Sequence, residues 1–99
     1  MKFIVAEKNT PNGLLLVITD EEIMGNIFEE NNLQLDLSNR FYQGNKKNIL
    51  EVKELMKKAR HLHLTGENSV NLAIENNQVK KDKILYVKKI PHAEVVMTE

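Results

Sequence analysis

A chain of 99 residues with 41% hydrophobic and 28% charged side chains lies in the ordinary globular range and suits one small domain, residues 1–99, with one core. It has no cysteine, which excludes disulfides, thiolate metal sites, iron–sulfur clusters and cysteine nucleophiles and points to a reducing, cytoplasmic setting. Net charge is zero, yet residues 1–36 carry −5 and residues 37–99 carry +5, so a basic face is compatible with a neutral protein, although charge runs are usually solvated surface.

The opening MKFIVAEKN is too short an apolar run for a signal peptide. No segment reaches the roughly 18–20 apolar residues that cross a membrane. Lys2 to Asn9 reads as a strand centred on FIVA. Asn12-Gly13 supplies the left-handed pair of a type I′ hairpin turn, and Pro11 suits a turn or an edge. Leu14 to Thr19, continuously apolar up to its threonine, reads as a strand buried on both faces.

Residues 19–32, TDEEIMGNIFEENN, read as a helix. Thr19 and Glu22 have capping-box spacing, and Ile23 with Ile27 and Met24 with Phe28 form i,i+4 pairs. Gly25 is costly inside such a helix. NLQLDLS alternates, with Leu33, Leu35 and Leu37 on one side of a half-buried strand. After the polar turn NRFYQGNKKN, a second helix is expected from about Lys46 to Arg60, its inward face being Ile49, Val52, Leu55, Met56 and Ala59. HLHL is a short strand or the end of that helix. HLTGENSVNLAIENN then gives a third helix with Val70, Ala73 and Ile74 inward. A strand around Ile84 to Val87 is broken by Pro91, and AEVVM forms a last short strand. The order ββαβα(β)αβ(β) predicts an α+β (mixed α/β) fold, a mixed sheet opened by a β-hairpin with helices packed on it.

Three constellations bear on chemistry. Arg40, Phe41, Tyr42, Lys46 and Lys47 pair aromatic rings with cations, the combination that binds single-stranded RNA by stacking and phosphate contact. The plainer alternative is a core aromatic with solvated cations. The lysine-rich segment around Tyr86 repeats the theme, and a lysine-guarded edge strand explains it equally well. At the third helix start, Gly66, Asn68 and Ser69, with His92, form a candidate anion site on free N–H groups. Glu67 and the absence of P-loop spacing argue for an ordinary helix start. His61, His63 and His92 match the ligand count of catalytic zinc, but nothing in the sequence brings His92 near the pair, so no metal or cofactor is assigned. No nucleophile–base pair is visible and no catalytic residue is assigned.

Read together, DEEIMGNIF, LDLSNRFYQG, LTGENSVNLAIE and IPHAEVV resemble the archaeal domain of unknown function 424 family, in the same order and over nearly the whole chain. The matching positions are Asp20, Glu21, Gly25, Phe28, Phe41, Tyr42, Gly44, Gly66, Glu67, Val70, Pro91, His92 and Ala93. His63 stands where the family pattern has asparagine, and Ser69 where it has alanine. The first departure makes the histidine pair peculiar to this chain. The resemblance implies a small cytoplasmic archaeal protein, without established activity, that accompanies the translation apparatus. Three readings follow: a non-catalytic module binding RNA or a ribonucleoprotein; a small-molecule or anion-binding domain at Gly66, possibly enzymatic; and a protein-interaction adaptor using the acidic first helix.

Overall fold

The computed structural model describes residues 1–97. Eight strands and two α-helices follow in chain order: β1 (Lys2–Thr10), β2 (Gly13–Asp20), β3 (Ile27–Glu30), β4 (Leu33–Asp36), β5 (Asn45–Asn48), α1 (Ile49–Lys58), β6 (His61–Thr65), α2 (Glu67–Glu75), β7 (Leu85–Val87) and β8 (Ile90–Val96). Six strands form a mixed sheet in the order β5-β1-β2-β6-β8-β7, and β3 and β4 form a separate two-stranded sheet. The β2–β6 pair is parallel and the other pairs are antiparallel. This is the α+β class with a mixed sheet that the sequence predicts.

Alternation within strands divides the large sheet into two faces. Phe3, Val5, Leu16, Ile18, Leu62, Leu64 and Ala93 lie on the face that receives both helices, packing with Val52, Met56 and Ala59 near α1 and Val70 and Ala73 of α2. Of the expected inward residues of the second helix, Ile49 is exposed and Leu55 only partly buried. The opposite face holds Val17, Thr19, His63, Thr65, His92 and Glu94. A second cluster lies on that side, built from Leu35, Leu37 and Val87 with Ile23, Phe28, Tyr42 and Ile90 around it. Burial on both faces explains why β2 is continuously apolar, with Leu16, Val17 and Ile18 fully enclosed.

Several local expectations are corrected. Residues 19–32 are not a helix. Thr19 is a buried strand residue and makes no cap; Glu21–Ile23 is a single 3-10 turn, and β3 and β4 follow as a hairpin. Gly25 at φ 86° and Asn31 at φ 57° are left-handed, which an α-helix does not admit. The adaptor reading thereby loses its acidic helix. In the first hairpin Thr10 pairs with Gly13, so the tip residues are Pro11 and Asn12. Lys46 and Lys47 belong to edge strand β5, and α1 begins after Asn48, whose side chain and Glu51 form a reciprocal capping box. HLHL is a central strand. Pro91 sits inside β8; the break falls at Lys88-Lys89, a two-residue turn held at φ 50° and 66°.

Candidate functional site

Arg40–Tyr42 forms a 3-10 turn in which Asn39 accepts a hydrogen bond from the Phe41 N–H. The Phe41 ring meets Tyr42 edge-on at 5.2 Å and His63 at 5.0 Å, with the Lys8 ammonium 4.2 Å from its centroid. Both rings are therefore engaged within the protein. Lys46 pairs with Glu21 at 2.6 Å. In β5, Lys46 pairs with Ile4 and Lys47 with Phe3, so the two lysines leave opposite faces of the sheet. The residues read from RFYQGNKK do not converge on one open stacking surface.

The Gly66 turn is also occupied. Asp20, at the end of β2, accepts hydrogen bonds from the N–H of Asn68 (2.9 Å), the N–H of Ser69 (2.8 Å) and the Ser69 hydroxyl (2.7 Å). The anion at this helix start is the chain's own buried carboxylate, contributed from 48 residues away. Gly66, at φ 106°, leaves room for it, since a Cβ there would lie 2.4 Å from the Asp20 carboxyl carbon. An external anion at Gly66, Asn68 and Ser69 is thus displaced by Asp20. His92 lies across the sheet from that carboxylate, because Phe3, a helix-face residue, pairs with Asp20.

His92 instead joins a polar cluster on the second face. Register places His63 opposite Glu94 and Thr65 opposite His92 across the β6–β8 pair. His63 Nε2 lies 3.1 Å from Glu94 Oε1, and His92 Nε2 lies 3.6 Å from Glu94 Oε2. The His92 Nδ1 is 2.8 Å from the Thr65 hydroxyl. The two imidazole rings are 5.9 Å apart. One ligand atom from each of His63, His92 and Glu94 lies within 4.8 Å of the others. Burial lowers the pKa of both histidines and outweighs the opposing pull of Glu94. Both rings are therefore neutral near pH 7, the state that offers a lone pair. Burial, then Glu94 and Asp36, raises the Tyr42 hydroxyl. Thr19 Oγ1 and His63 Nδ1 are buried without a hydrogen-bond partner.

A third place is the β7 edge. Tyr86 is 56% exposed. It lines a cleft of about 310 Å³ with Lys81, Lys89, Glu67 and Pro91. Among the described residues, the ammonium groups of Lys80, Lys81, Lys83, Lys88 and Lys89 have no carboxylate partner, while the Lys88 backbone N–H donates to Glu30 Oε1 at 3.0 Å.

The sequence model of a family described as "Protein of unknown function (DUF424)" matches residues 7–97. The chain belongs to that family. A solved structure similar to it is an uncharacterized conserved protein from Methanopyrus kandleri, with a TM-score of 0.78 at 16% identity over 100% of this chain and 96% of that one. At that identity the likeness concerns the fold. No curated protein matches. Within this DUF424 chain, Thr65, Glu94 and Asp20 are the polar residues whose roles sequence reading missed. HxE in β8 facing HxH in β6 was the available signal, and it requires the register to be read.

Proposed function

We propose that this DUF424 chain is a non-catalytic binding module for single-stranded RNA, alone or within a ribonucleoprotein, and that its contact surface is the β7 edge around Tyr86. The observation that carries the reading is an exposed aromatic ring sharing a cleft with Lys81 and Lys89, whose ammonium groups have no carboxylate partner among the described residues. A base stacks on such a ring while the cations meet phosphates. The Lys88-Lys89 turn adds support. Both lysines are held left-handed, at φ 50° and 66°, where asparagine and glycine are preferred. Each side chain there costs about 1–2 kcal/mol, a strain of the kind that clusters at functional sites. Glu67 also lines the cleft and repels anions, so phosphates are expected beside Lys81 and Lys89.

The test is anisotropy titration with a labelled oligouridylate at several salt concentrations. Tyr86→Ala should weaken binding by about 1–3 kcal/mol. The Lys81→Ala/Lys89→Ala double variant should flatten the salt dependence by about 0.7 per lost phosphate contact. Arg40→Ala, Lys46→Ala and Lys47→Ala should leave the slope unchanged. Absence of binding at low salt, or variants at Tyr86 and Lys81/Lys89 that bind as the parent does, would overturn the reading.

A further inference from the structure

The second face of the sheet carries an arrangement that RNA binding at β7 does not use. Two imidazoles and one carboxylate converge there from adjacent strands. His92 and Glu94 share a face because they are two residues apart in β8, and His63 is held directly opposite Glu94 by the β6–β8 register. Nothing in this placement depends on a loop. We propose that His63, His92 and Glu94 form a binding site for one zinc-class divalent metal ion.

Distance is the first argument. Ligands bound at about 2.0–2.2 Å in tetrahedral geometry stand about 3.3–3.6 Å from one another. The separations between Glu94 and the two histidines are 3.1 and 3.6 Å. These distances run to the two different Glu94 oxygens, and one ligand atom from each of the three residues lies within 4.8 Å of the others, so side-chain movement within the existing strand register would bring all three onto one ion.

Ring chemistry is the second. The Thr65 hydroxyl beside His92 Nδ1 gives that nitrogen a hydrogen-bond partner. In the tautomer a bound ion requires, Nδ1–H donates to the Thr65 hydroxyl and the Nε2 lone pair is turned to the ion. An outer hydrogen bond of this kind fixes the tautomer of a metal-bound histidine and orients its ring. His63 lacks such a partner, since its Nδ1 is buried and unpaired. His63 is therefore the weaker of the two imidazole ligands.

Ligand type selects the ion. Calcium and magnesium take oxygen ligands, whereas imidazole with one carboxylate suits zinc and its first-row neighbours. Three protein ligands leave a position for water or a further group. The Glu94 side chain is 64% exposed, which provides the entry route, while Phe41 closes the His63 side with its ring centre 5.0 Å away.

The test uses the full chain, stripped with a chelator and titrated calorimetrically with zinc, with cobalt as a spectroscopic probe. One ion per chain is expected, with visible d–d bands of a four- or five-coordinate nitrogen–oxygen site and a rise in Tm on adding zinc. Glu94→Gln and His92→Gln should each weaken binding at least about tenfold, and Thr65→Val by about 10- to 100-fold. His63→Asn should cost less than His92→Gln. His61→Asn should change nothing, because His61 lies outside the cluster. Glu94→Gln alters an exposed side chain, so a retained circular dichroism spectrum with lost binding identifies a ligand. Absence of saturable binding would overturn the proposal. So would Glu94→Gln binding zinc as tightly as the parent, or His61→Asn losing as much as His92→Gln.

Discussion

His63 and His92 show how burial sets chemistry at a single side chain. Each has a carboxylate within reach, which alone would raise its pKa, yet removal from water dominates and lowers it. The consequence for stability has a definite sign. In the unfolded chain a histidine binds its proton near its ordinary value of 6.5; in the folded chain these two bind theirs at lower pH. Between those values the unfolded state holds more protons, so stability rises with pH. Stability from these rings is full above about pH 6.5 and declines as pH falls below it. Urea denaturation across that range should show the decline in the parent. A His63→Asn/His92→Gln variant should show less of it, and an identical profile would remove these rings as its source. The partners of both rings were not legible in the sequence. Thr65 and His92 are 27 residues apart, and their contact exists only through the pairing of β6 with β8. Asp20 was hidden for the same reason, since it caps a helix it does not precede.

At the level of elements, continuous apolar character identified β2 and helical spacing identified α1 and α2, because those segments are long enough for their periods to show. Residues 19–32 were misread for the converse reason. Ile23, Ile27, Met24 and Phe28 match helical spacing, while the strand Ile27–Glu30 is only four residues long, too short for alternation to compete. Gly25 and Asn31 carried the contrary signal, since both are residue types that take left-handed backbone, and both do so here. Gly25→Ala separates the two structures by sign. In a helix the change would stabilise by about 1 kcal/mol. At φ 86°, with no atom within 4 Å of the added Cβ, there is no packing gain, and the left-handed backbone should cost about 1–2 kcal/mol. A shift in the denaturation midpoint reads the sign directly. Stabilisation would be incompatible with the turn and hairpin described.

In the whole molecule the sheet separates two packing regions of unequal weight. The helix side holds the larger cluster, whereas the other side is covered by the β3–β4 hairpin, whose cluster has Leu35, Leu37 and Val87 as its buried members. The sequence shows the apolar residues of both but not their assignment to sides, because strand order β5-β1-β2-β6-β8-β7 is a long-range property. β2 and β6 each have a strand on either side, while β5 and β7 are edges. Opening free energy should follow that arrangement. Amides of Leu16 to Thr19 and Leu62 to Thr65 should exchange hydrogen only through global unfolding, and those of β3, β4 and β7 through smaller openings. Leu37 is fully buried, and Leu37→Ala should cost about 2–5 kcal/mol within its cluster. If the hairpin opens as its own unit, protection in β3, β4 and β7 should collapse in this variant while β2 and β6 lose less. Equal loss across all strands would mean that the hairpin and the sheet open together, and that the second face is not exposed independently of the main core.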